Sequence, residues 1–181
     1  MTSLNHLNVL LCNGPDFEDR ELLYPYYRFL EAGANVTVAG LGEPVYKGKY
    51  GVPMPCTAKY EDVVNQRFDV VIIPGGWAPD KIRMNQAALT LVRQAMANNA
   101  VVGAICHAGW VLVSADVLRG RTVTSYCAIK DDMVNAGATW VDEAVVVDGN
   151  LVTSRTPDDL PAFTRTLIEQ AVLRKQQLAL A

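Results

Sequence analysis

Hydrophobic residues in this chain fall into short unbroken runs, and longer stretches with helical spacing lie between them. Residues 7–12 (LNVLLC), 36–39 (VTVA), 69–73 (DVVII) and 100–102 (AVV) are compact and largely aliphatic. Such runs predict strands buried on both faces of a parallel sheet. Residues 16–33 (DFEDRELLYPYYRFLEAG) carry Asp16, Glu18, Asp19 and Glu21 early and stop at Gly33. That order predicts a helix whose acids complement its dipole and whose interior Pro25 kinks it. Ala88, Leu91, Val92, Ala95 and Met96 share one face of a helix over 86–97, and shorter helices are predicted over 108–114 and 129–136. Leu160, Phe163, Leu167 and Ala171 line a last helix, which Thr156-Pro157-Asp158-Asp159 opens as an N-cap with proline at the first helical position.

The remaining segments are punctuated by turn residues. Gly40, Gly42, Gly48 and Gly51, with Pro53 and Pro55, mark an excursion suited to an edge or a loop. Residues 122–124 form a further strand, and 145–147 and 151–153 flank Asp148-Gly149-Asn150, a hairpin signal. Strands alternating with helices predict an α/β fold whose mostly parallel sheet is covered on both faces. Ligands in such folds bind at the carboxyl ends of the strands.

Composition narrows the function. The 181 residues suit one domain, and 50% hydrophobic and 19% charged residues with a net charge of −3 exclude disorder and a nucleic-acid surface. The uncharged stretch 94–115 is interrupted by Asn98, Asn99, Gly103, His107 and Ser114. Its apolar part falls short of the ~20 residues that span a bilayer. The first residues, MTSLNHLNVLLCNG, have no basic segment, so a cytoplasmic protein is expected. Cys12, Cys56, Cys106 and Cys127 form no C-x-x-C pair, and only His6 and His107 could join them. Free thiols are therefore expected, with no zinc site.

Phosphate and dinucleotide motifs are absent. Gly42 and Gly48-Lys49 are spaced by five residues instead of four and followed by Tyr50, so no P-loop is formed, and no G-x-G-x-x-G follows the first strand. No cofactor is expected. The candidate chemistry sits in 99–114 (NAVVGAICHAGWVLVS), where a buried strand turns sharply at Cys106-His107 into a helix. A thiol placed there faces unpaired backbone N–H groups, which predicts a lowered pKa and a nucleophile. Gly75 and Gly76 follow the strand at 69–73 and suit backbone donors to an oxyanion. Glu18 follows the first strand, so a carboxylate, backbone donors and a thiol are expected to converge at one sheet edge.

Six ordered blocks, FEDRELLYPYYRFLEAG, IIPGGWAP, AICHAGW, VLRGRTVTSY, IKDDMVNAGATWVDEAVVVDGN and TSRTPDDL, make the chain resemble the PfpI/ThiJ family, in particular its intracellular-protease branch. The resemblance implies a flavodoxin-like α/β sandwich and a homodimer or higher homo-oligomer, a hexamer included. It implies Cys106 as nucleophile beside His107, Glu18 as the acid against the sulfur, Gly75 and Gly76 as backbone donors, and Tyr126 near the pocket. Asp80 occupies the position of a glutamate that reaches the histidine from an adjacent subunit, one methylene shorter here. It either completes a Cys-His-acid triad or caps the following helix. Trp77 either walls the pocket or is a core residue.

Several activities use such a cysteine. The leading expectation is cofactor-free glyoxalase III-like or deglycase-like detoxification of small reactive carbonyls. A peptidase or amidase with His107 and Asp80, isonitrile hydration, and a non-enzymatic oxidation sensor or chaperone are the alternatives. The partner expected is a small carbonyl or peptide substrate, with no nucleic acid and no membrane.

Overall fold

The computed structural model describes residues 4–179, so the reading of the amino terminus begins partly in residues 1–3, outside them. Strand β1 (Asn8–Cys12) leads into helix α1 (Asp19–Glu31) and then strand β2 (Asn35–Gly40). The glycine- and proline-rich excursion folds as a hairpin of β3 (Val45–Lys47) and β4 (Pro53–Pro55), outside the central sheet. Proline is tolerated there because an edge strand has N–H groups to spare. Next come β5 (Ala58–Lys59), α2 (Tyr60–Val63), β6 (Val70–Ile73), α3 (Ala78–Ile82), α4 (Gln86–Ala97) and β7 (Val101–Ile105). The chain continues through α5 (Gly109–Ala115), β8 (Thr122–Val123), α6 (Lys130–Asn135) and β9 (Thr139–Trp140). It ends with β10 (Val145–Asp148), β11 (Leu151–Ser154) and α7 (Leu160–Ala179).

The central sheet has the order β10-β11-β7-β6-β1-β2-β5, and only β10 runs antiparallel, paired to β11 through the predicted hairpin. Helices α1 and α7 cover one face, while α2, α4 and α5 pack on the other. This is the expected flavodoxin-like α/β sandwich. The chain proceeds from β1 outward to β2 and then back across to β6, so the order reverses beside β1. That reversal opens a crevice at the carboxyl ends of β1, β6 and β7.

Local differences from the sequence reading have physical causes. Helix α1 runs through Pro25 as expected, and the ring of Pro25 is buried on the same face as Leu22 and Phe29. Packing of that face holds the helix through the lost hydrogen bond. Thr156 makes no side-chain cap, and a 3₁₀ turn over Pro157–Asp159 precedes α7 instead. Of the strand expected over 122–124, Thr122 and Val123 pair with β9 in a separate two-stranded sheet, a register no periodicity signals in segments so short.

Strand β7 continues through Gly103 to Ile105, three residues beyond the predicted run. Side chains of α7 pack directly onto Gly103, since a Cβ there would stand 2.7 Å from Leu167 Cδ2 and 3.1 Å from Phe163 Cζ. Gly103→Val therefore overpacks this layer and costs about 1–3 kcal/mol of stability. Urea unfolding of the purified variant measures this; a wild-type midpoint would contradict the packing.

Candidate active site

Three loops at the carboxyl edge of the sheet build a cleft of about 440 Å3 lined by Glu18, Glu21, Lys49, Gly76, Cys106 and His107, among others. Cys106 is the first residue after β7 and has φ +61°, in the left-handed region. A side chain held there costs on the order of 1–3 kcal/mol and persists only where the surroundings impose it. The turn lifts the sulfur off the end of the strand toward the loop after β6. There the backbone N–H groups of His107 and Gly76 donate to it.

The acid that meets this sulfur is Glu21, where Glu18 was expected. Glu21 is fully buried, accepts a hydrogen bond from Gly75 N–H at 2.7 Å through Oε2, and interacts with the Cys106 thiol. Its Oε1 is buried with no aligned donor. A protonated carboxyl accounts for that, because the second oxygen then carries a donor of its own. Burial pushes the Glu21 carboxyl up to about 8, opposed by the Gly75 N–H and reinforced by the charge of Glu18.

Glu18 instead caps α1. Its Oε2 accepts from the N–H groups of Arg20 (2.9 Å) and Glu21 (3.1 Å), and Oε1 accepts from Arg20 Nε and Nη2 at 2.9 and 2.7 Å. Four donors leave this carboxylate no sulfur to serve, although it still borders the cleft. Asp19 accepts from the N–H groups of Tyr50 (2.9 Å) and Val52 (3.0 Å), which pins the turn that carries Lys49 into the cleft. Glu21, Lys49 and Arg20 are among the lining residues that sequence reasoning missed, as are Ala128, Thr156 and Pro157. The signal for Glu21 was its phase: it sits four residues before Pro25 and eight before Phe29, on the buried face of α1.

The glycine pair divides its work. Gly75 N–H is committed to Glu21, so it is not the free oxyanion donor expected of it, while Gly76 faces the sulfur. A Cβ on Gly75 would meet Glu21 Oε2 at 2.5 Å and Cys106 Cβ at 2.7 Å. Gly76 adopts φ +72° and bridges to Phe17, which ties the loop after β6 to the loop after β1.

Burial, then the charge of Glu21, pushes the Cys106 thiol up to about 12, against the N–H groups of His107 and Gly76. The lowered pKa predicted from the strand-turn-helix position is thus overturned: closure of the cleft outweighs the backbone donors. His107 moves the other way, lowered first by burial and then by Lys49, so its imidazole is neutral near pH 7. Its Nδ1 lies 3.3 Å from Cys106 Sγ. The rings of Trp77, Trp110 and Tyr126 surround it at centroid distances of 5.8, 5.1 and 5.1 Å. Trp77 is 59% exposed, a wall residue with no place in the core.

Asp80 is the expected site residue that the fold leaves apart. It lies in the first turn of α3, pairs with Lys81 at 2.9 Å, and lines a neighbouring cleft with Trp77 and Trp110. Within one chain it does not meet His107, and it does not cap the following helix, since Asn85 is the N-cap of α4 and accepts from Ala88 N–H at 2.9 Å. Among the described residues, no group of three or more His, Cys, Asp or Glu has metal-binding proximity, and no helix is long and apolar enough to cross a membrane.

Comparison with known proteins matches residues 7–170 to the DJ-1/PfpI family. The chain is similar to a deglycase of Pyrococcus abyssi, with 44% identity over 90% of this chain and 98% of the relative. Its fold superposes with a TM-score of 0.87 on a two-domain protein of Anabaena variabilis containing DJ-1/ThiJ/PfpI-like and ferritin-like domains. Identity there is 41%, and the match covers 91% of this chain but 48% of that one. Drosophila melanogaster DJ-1beta superposes with a TM-score of 0.85 at 29% identity, covering 97% and 98% of the two chains.

The raised carboxyl makes a pH prediction. Between the ordinary value of 4.5 and about 8, the folded protein holds a proton on Glu21 that the unfolded chain has released. Stability therefore falls as pH rises through that window, with a contribution from this group of up to ~1.4 kcal/mol per pH unit. Glu21→Gln removes the contribution, and urea unfolding from pH 5 to pH 8.5 should show a flatter profile for the variant. Identical slopes would place the proton elsewhere.

Proposed function

The chain belongs to the DJ-1/PfpI family, and from that premise we propose that it is a cofactor-independent cysteine enzyme acting on small reactive carbonyls, with glyoxalase III-like or deglycase-like chemistry. The observation that carries this reading is the buried Glu21 carboxyl, kept protonated near neutrality, against the Cys106 thiol. A carbonyl addition needs a nucleophile and an acid on opposite sides of one proton inventory, and this pair supplies both.

Cys106 and His107 are both neutral at rest in this proposal. As Sγ bonds to an aldehyde carbon, His107 Nδ1, at 3.3 Å, takes the thiol proton, and the carbonyl electron pair moves to oxygen. That oxygen takes the proton of Glu21, which gives a hemithioacetal. With a 2-oxoaldehyde, the hydrogen on the sulfur-bearing carbon next passes as a proton to the Glu21 carboxylate. Its electron pair shifts into the neighbouring carbonyl, whose oxygen is protonated by the His107 imidazolium. The enediol rearranges to a thioester, and water splits this into a 2-hydroxy acid and free thiol. The aldehyde carbon is oxidised and its neighbour reduced, so no external redox partner is consumed.

Trp77 and Tyr126 wall the cleft on the solvent side and restrict it to small or extended substrates. Asp80 belongs in the proposal only through a second copy of the chain, because its own chain keeps it from His107. A homo-oligomer of that kind is the arrangement a peptidase reading requires.

Lactate formation from methylglyoxal tests the proposal. Wild type is expected to produce lactate, and Cys106→Ser should lose more than ~1,000-fold in kcat/KM. Glu21→Gln, which keeps a hydrogen bond but no transferable proton, should lose ~100-fold or more in kcat. Glu18→Gln should fall by less than ~10-fold, since that group caps a helix and touches no reacting atom. Undiminished turnover by Cys106→Ser, or a Glu18→Gln loss larger than that of Glu21→Gln, would refute the assignment.

A further inference from the structure

The opposite edge of the sheet carries a second cleft that none of this chemistry uses. It measures about 240 Å3 and lies where the amino ends of β1, β6 and β7 meet the last turns of α7. Arg67, Arg174 and Lys175 border it, together with Asp69 and His6, over a floor that includes Phe68. With His6 counted neutral, three cations face one carboxylate, which leaves two positive charges.

Structural duties do not exhaust these cations. Asp69 is engaged through Oδ2 with the backbone N–H of Asn8 at 2.8 Å, and it pairs with none of the three among the described residues. Lys175 Nζ donates to the Asn5 carbonyl at 2.9 Å. Arg174 donates through Nη1 to the Asn99 carbonyl at 3.1 Å, while its Nε is buried without any partner. Burial lowers the pKa of that guanidinium, the mark of a cation short of a counter-charge. Arg67 is exposed and has no partner among the described residues. A buried donor left unpaired is costly, and a ligand oxygen removes that cost.

We infer that this cleft binds a dianionic phosphate group, as free phosphate or a small phosphomonoester, through Arg174, Arg67 and Lys175. A guanidinium fork presents parallel donors matched to phosphate oxygens, and two positive charges match a dianion better than a carboxylate. The apolar floor concentrates the field at the cleft and offers contact to a small organic group on the ester.

Titration calorimetry of the full chain with inorganic phosphate and with phenyl phosphate, at constant ionic strength, tests the inference. Saturable binding of at least one is expected, weakened at least tenfold in both Arg174→Gln and Arg67→Gln, and the tighter of the two ligands distinguishes free phosphate from a monoester. Arg67 is on the surface, so Arg67→Gln keeps the test valid if Arg174→Gln unfolds. Carbonyl turnover should be unchanged in Arg67→Gln, which separates this outcome from any failure at Cys106. Absence of saturable binding, binding that survives Arg67→Gln undiminished, or equal binding of acetate overturns the proposal.

Discussion

A buried carboxyl facing a buried thiol is stable only if the pair sheds charge, and the carboxyl edge of this fold is arranged around that condition. Glu21 is pushed up to about 8 because it has been taken out of water, and its one strong hydrogen bond comes from Gly75 N–H. Cys106 is pushed up to about 12 first by its own burial and then by the facing Glu21. A side chain on Gly75 would enter the contact, and a strand conformation at Cys106 would withdraw the sulfur from it. The left-handed Cys106, the bare Gly75 and the inward face of α1 therefore act as one unit. Its strain is held by the aliphatic strands behind it, which are closed to water.

The acidic segment at the start of α1 shows how position divides like residues among unlike tasks. Glu18 precedes the first helical turn, where its oxygens meet the free N–H groups and the Arg20 guanidinium. Asp19 points to the hairpin side and holds the turn that carries Lys49. Glu21 is one turn in and faces the sheet. All three are buried carboxylates within four residues, and Glu21 is the one that faces the sulfur and that burial pushes up to about 8.

The two edges of the sheet have opposite electrostatic character. At the carboxyl edge, aromatic rings enclose a neutral imidazole beside a neutral thiol and carboxyl, so proton positions can change without a large charge penalty. At the amino edge, cations gather around carbonyls and an unpaired guanidinium nitrogen. The two clefts are separated by the length of the central strands.

Aliphatic runs, helical spacing and the Asp148-Gly149-Asn150 turn determined the α/β architecture by themselves, because periodicity and turn chemistry are local properties of the chain. The cysteine after a buried strand and the glycines after another were legible for the same reason, and the family resemblance followed from their order. Tertiary structure alone decided which acid meets the sulfur. A carboxylate's role depends on the helix phase and on which loop packs opposite, and neither is written in adjacent residues. The direction of the thiol's pKa was also a tertiary matter: the sequence places N–H donors near Cys106, but burial by three converging loops and a facing carboxyl outweighs them. Asp80, read from its place in a motif, pairs with Lys81 because α3 places it in the neighbouring cleft with Trp77 and Trp110.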